Sequence, residues 1–324
     1  MEAIRCREAK ISDQLGITEL SKDIYGGTDY TASIFPQWIA DQNYYPFVAE
    51  TVSGQLVGFL ALVITDNGRS VVGRSVRVSQ PYRKRGISTM LSNHALISVA
   101  QQFPQVNSML VMNQVGKTLS FNWDEKLKMS AGVIQCNVHI IALYVESYIH
   151  RDRAVYEDTG KHKVAFTTFD EIYNHDESLR AIFPDNIITV GGDIMHANIP
   201  ETRSYLDGRE ELKFLFTKSL ENDGSAVFSV LNLFGNNKNE VGQLVFDLNL
   251  FGNDSTMLKY HILEAMNSAM QVSEGNFVIQ LYIASPIDGG AKVDVVDFIR
   301  QGHWGQIKFY APEHVVEHGI GTPT

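Results

Sequence analysis

One stretch constrains this chain more than any other, the run from Ser70 to Phe103. Its first part, Ser70-Val71-Val72-Gly73-Arg74-Ser75-Val76-Arg77-Val78, is β-branched and alternates as a half-buried strand does. Gln80-Pro81 ends that strand, because proline removes a donor from the ladder. After Arg83-Lys84-Arg85-Gly86, apolar residues recur at helical spacing: Ile87, Met90, Leu91, Ala95, Val99 and Phe103. The stretch therefore predicts a strand, a tight basic loop and a long helix. The first turn of such a helix leaves amide N–H groups without intrahelical acceptors, and its dipole favours negative charge there. Gly86 admits a ligand close to the backbone, and Arg83, Lys84 and Arg85 add positive charge around the same point. The loop chemistry leaves two readings, a diphosphate site or a solvated basic turn.

Composition narrows the partners. The chain has 324 residues, 44% hydrophobic and 20% charged, so a packed core of one large or two smaller domains is expected. A formal net charge of −10 disfavours a nucleic-acid partner, which needs a basic face. The basic loop is thus a local exception suited to one anionic ligand. Two cysteines, Cys6 and Cys136, form no disulfide framework and suit a reducing compartment. The first ten residues alternate charge with apolar side chains and lack a signal-peptide core. The longest apolar candidate for a membrane span, around Val133–Val145, is broken by Gln135, Asn137 and His139. The expected location is cytoplasmic.

Taken in order, Ile4–Ala9 reads as a strand, and Ser12-Asp13 as the cap of a helix reaching Lys22. Asp23-Ile24-Tyr25-Gly26-Gly27-Thr28-Asp29-Tyr30 is a loop whose tyrosines and carboxylates could line a small polar pocket or serve only a turn. A short helix over Phe35–Ala40 and strands over Phe47–Val52 and Leu56–Thr65 precede the central strand. Beyond the long helix, Ser108–Met112 reads as a strand, Leu119–Met129 as a helical patch and Gly132–Tyr144 as a long strand. His150–Lys163 is polar and basic, a linker between domains at 1–150 and 164–324.

The order then restarts, with a strand at Val164–Thr167 and a helix at Asp170–Ile182. Strands follow at Phe214–Phe216, Ala226–Leu233 and Leu244–Leu250. A helix at Ser255–Val272, a strand at Phe277–Ala284, a helix at Val293–Gln301 and a strand at Gln306–Tyr310 complete it. This is a repeat of architecture rather than of sequence. Its counterpart of the basic loop, Phe251-Gly252-Asn253-Asp254, carries an acid and would repel phosphate.

The spacing Arg83-x-x-Gly86-x-Ser88 after a strand and before a helix resembles the acetyl-coenzyme A signature of the GNAT acetyltransferases, Arg/Gln-x-x-Gly-x-Gly/Ala, with Ser88 replacing the last small residue. The Asp23–Tyr30 loop, Arg77-Val78, and Phe246-Asp247-Leu248-Asn249-Leu250-Phe251-Gly252 are similar to corresponding stretches of the vertebrate histidine N-acetyltransferase group. The resemblance implies an α/β fold with mixed α+β sheets. It implies tandem GNAT-like folds, the second degenerate and without a phosphate loop.

It implies acetyl transfer from acetyl-CoA to the α-amine of a free amino acid, histidine first, or of a similar small amine, with no metal. Val76 and Val78 would offer backbone groups to the pantetheine arm, and Arg83, Lys84, Arg85, Gly86, Ile87 and Ser88 would hold the pyrophosphate. The acceptor would lie among Asp23, Tyr25, Gly26, Asp29, Tyr30 and Arg77. A neutral amine must attack a thioester, so a base and an oxyanion stabiliser are required. Arg74 stands near the place where the relatives carry a glutamate, leaving Asp29 and Glu50 as candidate bases. No tyrosine falls between Asn113 and Gly132 to protonate the leaving thiolate. The rival expectation is a non-catalytic acyl-CoA-binding or scaffold protein that keeps the fold.

Three further features carry bland readings. His314 and His318, flanked by Glu313 and Glu317, have helical metal-ligand spacing but read as a solvated end. His94 packs or faces solvent, and Trp38, Trp123 and Trp304 read as core or rim.

Overall fold

The computed structural model describes residues 2–22, 24, 29–114, 132–147, 161–163, 167–183, 186–219, 224–233, 244–252, 254–273, 277–284, 298 and 305–320. Two compact units emerge, Met1–Gln135 with Val316–Thr324, and Cys136–Val315. The expected helix at Leu119–Met129, most of that at Val293–Gln301, and Trp123 and Trp304 lie outside the described residues.

In the first unit β1 (Ile4–Glu8) leads through a 3-10 turn to α1 (Gln14–Ser21) and α2 (Thr31–Ala40). Then come β2 (Tyr44–Thr51), β3 (Leu56–Thr65), β4 (Ser70–Val78), α3 (Ile87–Gln102) and β5 (Ser108–Gln114). The strands lie in the order β1-β2-β3-β4-β5. Pairing is antiparallel through β4, and β4 pairs parallel with β5 across the α3 crossover.

Alternation along the strands sorts side chains onto two faces. Phe47, Ala49, Leu60, Leu62 and Val71 pack with Ile87, Leu91, Ala95 and Val99 under α3. Val48, Phe59 and Ala61 pack with Ile17, Phe35 and Trp38 under α1 and α2. Each large apolar side chain removed from water in this way contributes about 1.5–3 kcal/mol.

One residue interrupts the alternation. Ala61 pairs with Arg74 and Phe59 with Arg77, so β4 holds one residue more than β3 between those points. Within that bulge Ser75 has a φ of 52°. Arg74 and Arg77, three apart, therefore share the α1/α2 face, while Val76 and Val78 contact the α3 core.

The second unit begins within β6 (Gly132–Ser147) and adds β7 (Lys161–Lys163), α4 (Phe169–His175) and α5 (Glu177–Ala181). The helix expected over Asp170–Ile182 is thus two helices. Asp176 sits in extended backbone and its carboxylate accepts the amides of Ser178 and Leu179, a local bond that outcompetes helix continuation. A hairpin absent from the sequence reading follows, β8 (Ile187–Val190) and β9 (Asp193–His196), turned by Gly191 and Gly192 at φ 58° and 82°.

After α6 (Pro200–Asp207) come β10 (Leu212–Ser219), β11 (Ala226–Asn232), β12 (Leu244–Gly252), α7 (Ser255–Val272), β13 (Phe277–Ala284) and β14 (Gly305–Ile320). The strand order β6-β13-β12-β11-β10-β7 has β10, β11 and β12 antiparallel and β12 parallel to β13. Phe246, Leu248, Leu250 and Ile279 pack beneath Leu258, Ile262 and Ala269 of α7. β14 runs beyond the expected Gln306–Tyr310 and carries His314 and His318, so their spacing is that of a strand and not of a helix. Four residues along a strand span about 13 Å, too far for one metal ion.

Candidate active site

The basic loop is a built structure. Ser79 N–H donates to Val57 O at 3.0 Å, and Gln80–Tyr82 forms one 3-10 turn. The Arg83 Nε–H donates to Val78 O at 3.0 Å, and the Arg85 guanidinium lies 4.9 Å over the Tyr82 ring. Lys84 and Gly86 take φ of 61° and 75°, and Gly86 is the N-cap of α3 with no side-chain cap. The first-turn amides of α3, those of Ile87 and Ser88 among them, are therefore aimed outward beside three exposed cationic residues. A Cβ on Gly86 would meet nothing within 4 Å, so the space over the loop is open.

The helix start is held close to the sheet. Gly58 pairs with Val78, and a Cβ there would lie 3.2 Å from both Ile87 Cγ2 and Ala49 Cβ. Only a residue without that carbon lets the first residue of α3 settle on β3 without displacing its neighbours. Beside it the sheet opens. β4 pairs with β5 only from Ser70↔Ser108 to Gly73↔Val111, whereas β4 itself runs on to Val78. Val76 O and Val78 O accept from Arg77 Nη1 and Arg83 Nε.

On the α1/α2 face the predicted residues converge. Arg77 grips Asp29 in a fork, Nε to Oδ2 and Nη2 to Oδ1, both 2.9 Å, and the Asp29 side chain is 0% exposed. Asp29 Oδ1 also accepts from Thr31 N–H at 3.2 Å and Thr31 Oγ1 at 2.8 Å, so it satisfies the start of α2. The Thr31 hydroxyl lies 3.2 Å from Ser75 Oγ, tying α2 to the bulge. Both oxygens of Asp29 are thus occupied, which suits positioning and not proton abstraction.

Arg74 is buried, donates to Tyr30 Oη at 2.9 Å and Tyr44 Oη at 3.2 Å, and lies 5.3 Å over the Trp38 ring. Trp38 in turn stacks on Tyr44 with centroids 5.6 Å apart. Tyr44, Thr31 and Ser75 are site residues that the sequence reading missed, and Trp38 belongs to the site as well as to the core. Counting back from buried Val48 by twos would have put Tyr44 on this face.

Glu50 lies elsewhere in the sheet, opposite Arg5 on β1. Its carboxylate accepts from Arg7 at 2.7 Å and Arg5 at 2.5 Å, and Arg7 also forks onto Asp13 at 2.8 and 2.9 Å. The Arg7 and Arg5 hydrogen bonds hold Glu50 below the usual carboxylate range despite its burial. Such a carboxylate is a weak proton acceptor. Asp23, Tyr25 and Gly26 lie outside the described residues. Among the described residues no three His, Cys, Asp or Glu side chains group as a metal site, and no helix is long and apolar enough to cross a membrane.

A strand released from its neighbour, a basic turn and an uncapped helix start occupy one end of the first unit. Residues 15–115 match the Acetyltransferase (GNAT) family model. The chain is also similar to two curated proteins named histidine N-acetyltransferase. That of Xenopus tropicalis is 29% identical over 93 residues, 29% of this chain and 28% of the relative. That of Scomber australasicus is 27% identical over 90 residues, 28% of this chain and 26% of the relative. The chain thus matches only about a quarter of the length of these relatives. The fold of the chain is like that of a GCN5-related N-acetyltransferase from Sphaerobacter thermophilus. That likeness has a TM-score of 0.55 at 10% identity and covers 99% of this chain and 97% of the other.

Proposed function

We propose that the chain is an acetyl-CoA-dependent N-acetyltransferase acting on the α-amine of a free amino acid, histidine first. The observation that carries this reading is the uncapped start of α3 in the basic loop beside the separated ends of β4 and β5. The amides of Ile87 and Ser88 and the side chains of Arg83, Lys84 and Arg85 would bind a pyrophosphate, with Gly86 giving the close approach. The exposed edge of β4 at Val76 and Val78 would hold the pantetheine arm. Acetyl-CoA, when bound, supplies the acyl group as a thioester.

The α1/α2 face would take the acceptor. Arg77 and Asp29 would hold β4 and the start of α2 in fixed register. Arg74, within its tyrosine and tryptophan surround, would orient the acceptor carboxylate, with the Tyr30 and Tyr44 hydroxyls as the polar groups beside it. Asp29 and Glu50 are each bound to arginine, so the ammonium proton would leave through solvent or through the Tyr30–Tyr44 pair. The second unit would be a GNAT-like fold without a phosphate loop, with domains at 1–150 and 164–324. The test is release of coenzyme A thiol from acetyl-CoA with a panel of amino acids and amines. Acetylated histidine as the fastest product supports the reading, and coenzyme A bound without thiol release with any amine overturns it.

That second outcome would favour the rival, an acyl-CoA-binding protein without turnover. Its supporting observation is that both candidate bases are committed to ion pairs.

A further inference from the structure

The second unit holds a cavity of about 240 Å³ on the α7 side of its sheet, lined by Lys213, Ser229, Leu231, His261, Glu264 and Ser268 among others. Its origin is a packing difference. In the first unit the space between α3 and strands β2 and β3 is filled by Phe47 and Leu60, with Tyr45 edge-on to Phe103 at 5.2 Å. In the second, β11 presents Ser229 beside Leu215 of β10, and α7 contributes Ala265 and Ser268, so the same layer is left open.

The polar groups around this space are arranged in two tiers. At depth His261 is fully buried, with Nδ1 2.7 Å from Ser229 Oγ and Nε2 2.9 Å from Thr217 Oγ1. A neutral imidazole donates through one nitrogen and accepts through the other, so this chain can run in either direction. In one, Ser229 gives its proton to His261 and keeps lone pairs for a donor. In the other, Ser229 accepts from His261 and has its proton for an acceptor. Further out stand two opposite charges, Lys213 and Glu264. Both line the cavity, yet neither is paired with the other or with any other group among the described residues. A lysine and a glutamate facing one space without closing on each other match a ligand that carries both complementary charges. The volume lies below the range of pockets for drug-sized molecules and suits a smaller ligand.

We propose that this cavity binds a free amino acid as a zwitterion. Lys213 meets its carboxylate, Glu264 its ammonium, and Ser229 the polar group that reaches deepest, while Leu215, Leu231 and Ala265 contact the carbon skeleton. The site is separate from the GNAT domain and does not depend on the acyl-transfer reading.

The test is hydrogen–deuterium exchange of the full chain with and without millimolar alanine, leucine or histidine, beside their carboxamides and their deaminated acids. The expected result is slower exchange in β10 and α7 with at least one amino acid and not with its two single-charge analogues. Lys213→Ala and Glu264→Gln should each raise the half-saturating concentration about tenfold, since each removes a charge-assisted hydrogen bond. Ser268→Phe should fill the space and abolish the protection, while Arg74→Ala, in the other unit, should leave it unchanged. No protection of β10 and α7 by any amino acid, equal protection by a single-charge analogue, or protection that survives both Lys213→Ala and Ser268→Phe overturns the proposal.

Discussion

β2–β3–β4–α3–β5 and β10–β11–β12–α7–β13 follow one pattern, antiparallel, antiparallel, then parallel across a helix, yet their loops offer different things. β12 and β13 stay paired through eight registers, Leu244↔Phe277 to Phe251↔Ala284, and β4 and β5 through four. α7 starts at Asp254, whose own carboxylate accepts Met257 N–H at 2.8 Å; α3 starts at left-handed Gly86 with no such cap. A helix that supplies its own anion has less to offer a foreign one. The polar layers on the far faces differ too. The first unit buries an ion pair, Arg77–Asp29, and the second a neutral bond from Thr189 to Asn249 at 2.9 Å. Strand order is thus no guide to ligand chemistry, which rests on a cap, a bulge and a few charges.

The largest expected effect tests the buried layers. Asp29→Asn leaves the Arg77 guanidinium buried without its counter-charge and should cost about 3–5 kcal/mol in urea unfolding. Thr189→Val in the second unit should cost about 1 kcal/mol. Equal losses would erase the contrast between ionic and neutral layers. Next, Gly86→Pro demands a φ near −65° where the chain has 75°, and should weaken coenzyme A binding about 100-fold by calorimetry. Gly86→Asn, which tolerates the left-handed region, should retain most of it.

Arg74→Gln should raise the acceptor KM about tenfold and leave the acetyl-CoA KM in place, because it touches only the α1/α2 face. Asp254→Ala should cost about 1 kcal/mol of stability and confer no coenzyme A binding. A gain of binding there would mean that an uncapped helix start suffices without a basic loop or parted strands. The smallest effect concerns pH. Glu50 has a lowered folded-state pKa, so its contribution is present above the ordinary glutamate value and is lost as pH falls through the lowered one. Glu50→Gln should lower stability at pH 7, where that contribution is present, and flatten the decline of stability below about pH 4.

The central unit was legible because its signals are local. Alternation in Ser70–Val78, the stop at Pro81 and the spacing from Ile87 onward each act within a few residues, and α3 begins where they place it. α7 and β13 were read to their ends for the same reason. The glycine pair of the β8–β9 hairpin was an equally local signal that the reading passed over. What could not be read locally is the pairing of distant groups. Nothing near Asp29 announces a fork from Arg77, 48 residues on, and nothing near Gly58 announces that Ile87 will rest on it. Glu50 looked available for proton transfer until β1 laid Arg5 and Arg7 beside it.

The single additional residue in β4 sets the phase of everything after it. With Ser75 kept but the bulge straightened into regular pairing, Arg77 would turn toward the greasy side beneath α3, and Val76 and Val78 toward the aromatic pocket that now holds Arg74. One kink in the backbone therefore decides whether two guanidiniums stand together or on opposite sides of the sheet, a change of chemistry that leaves every letter of the strand the same.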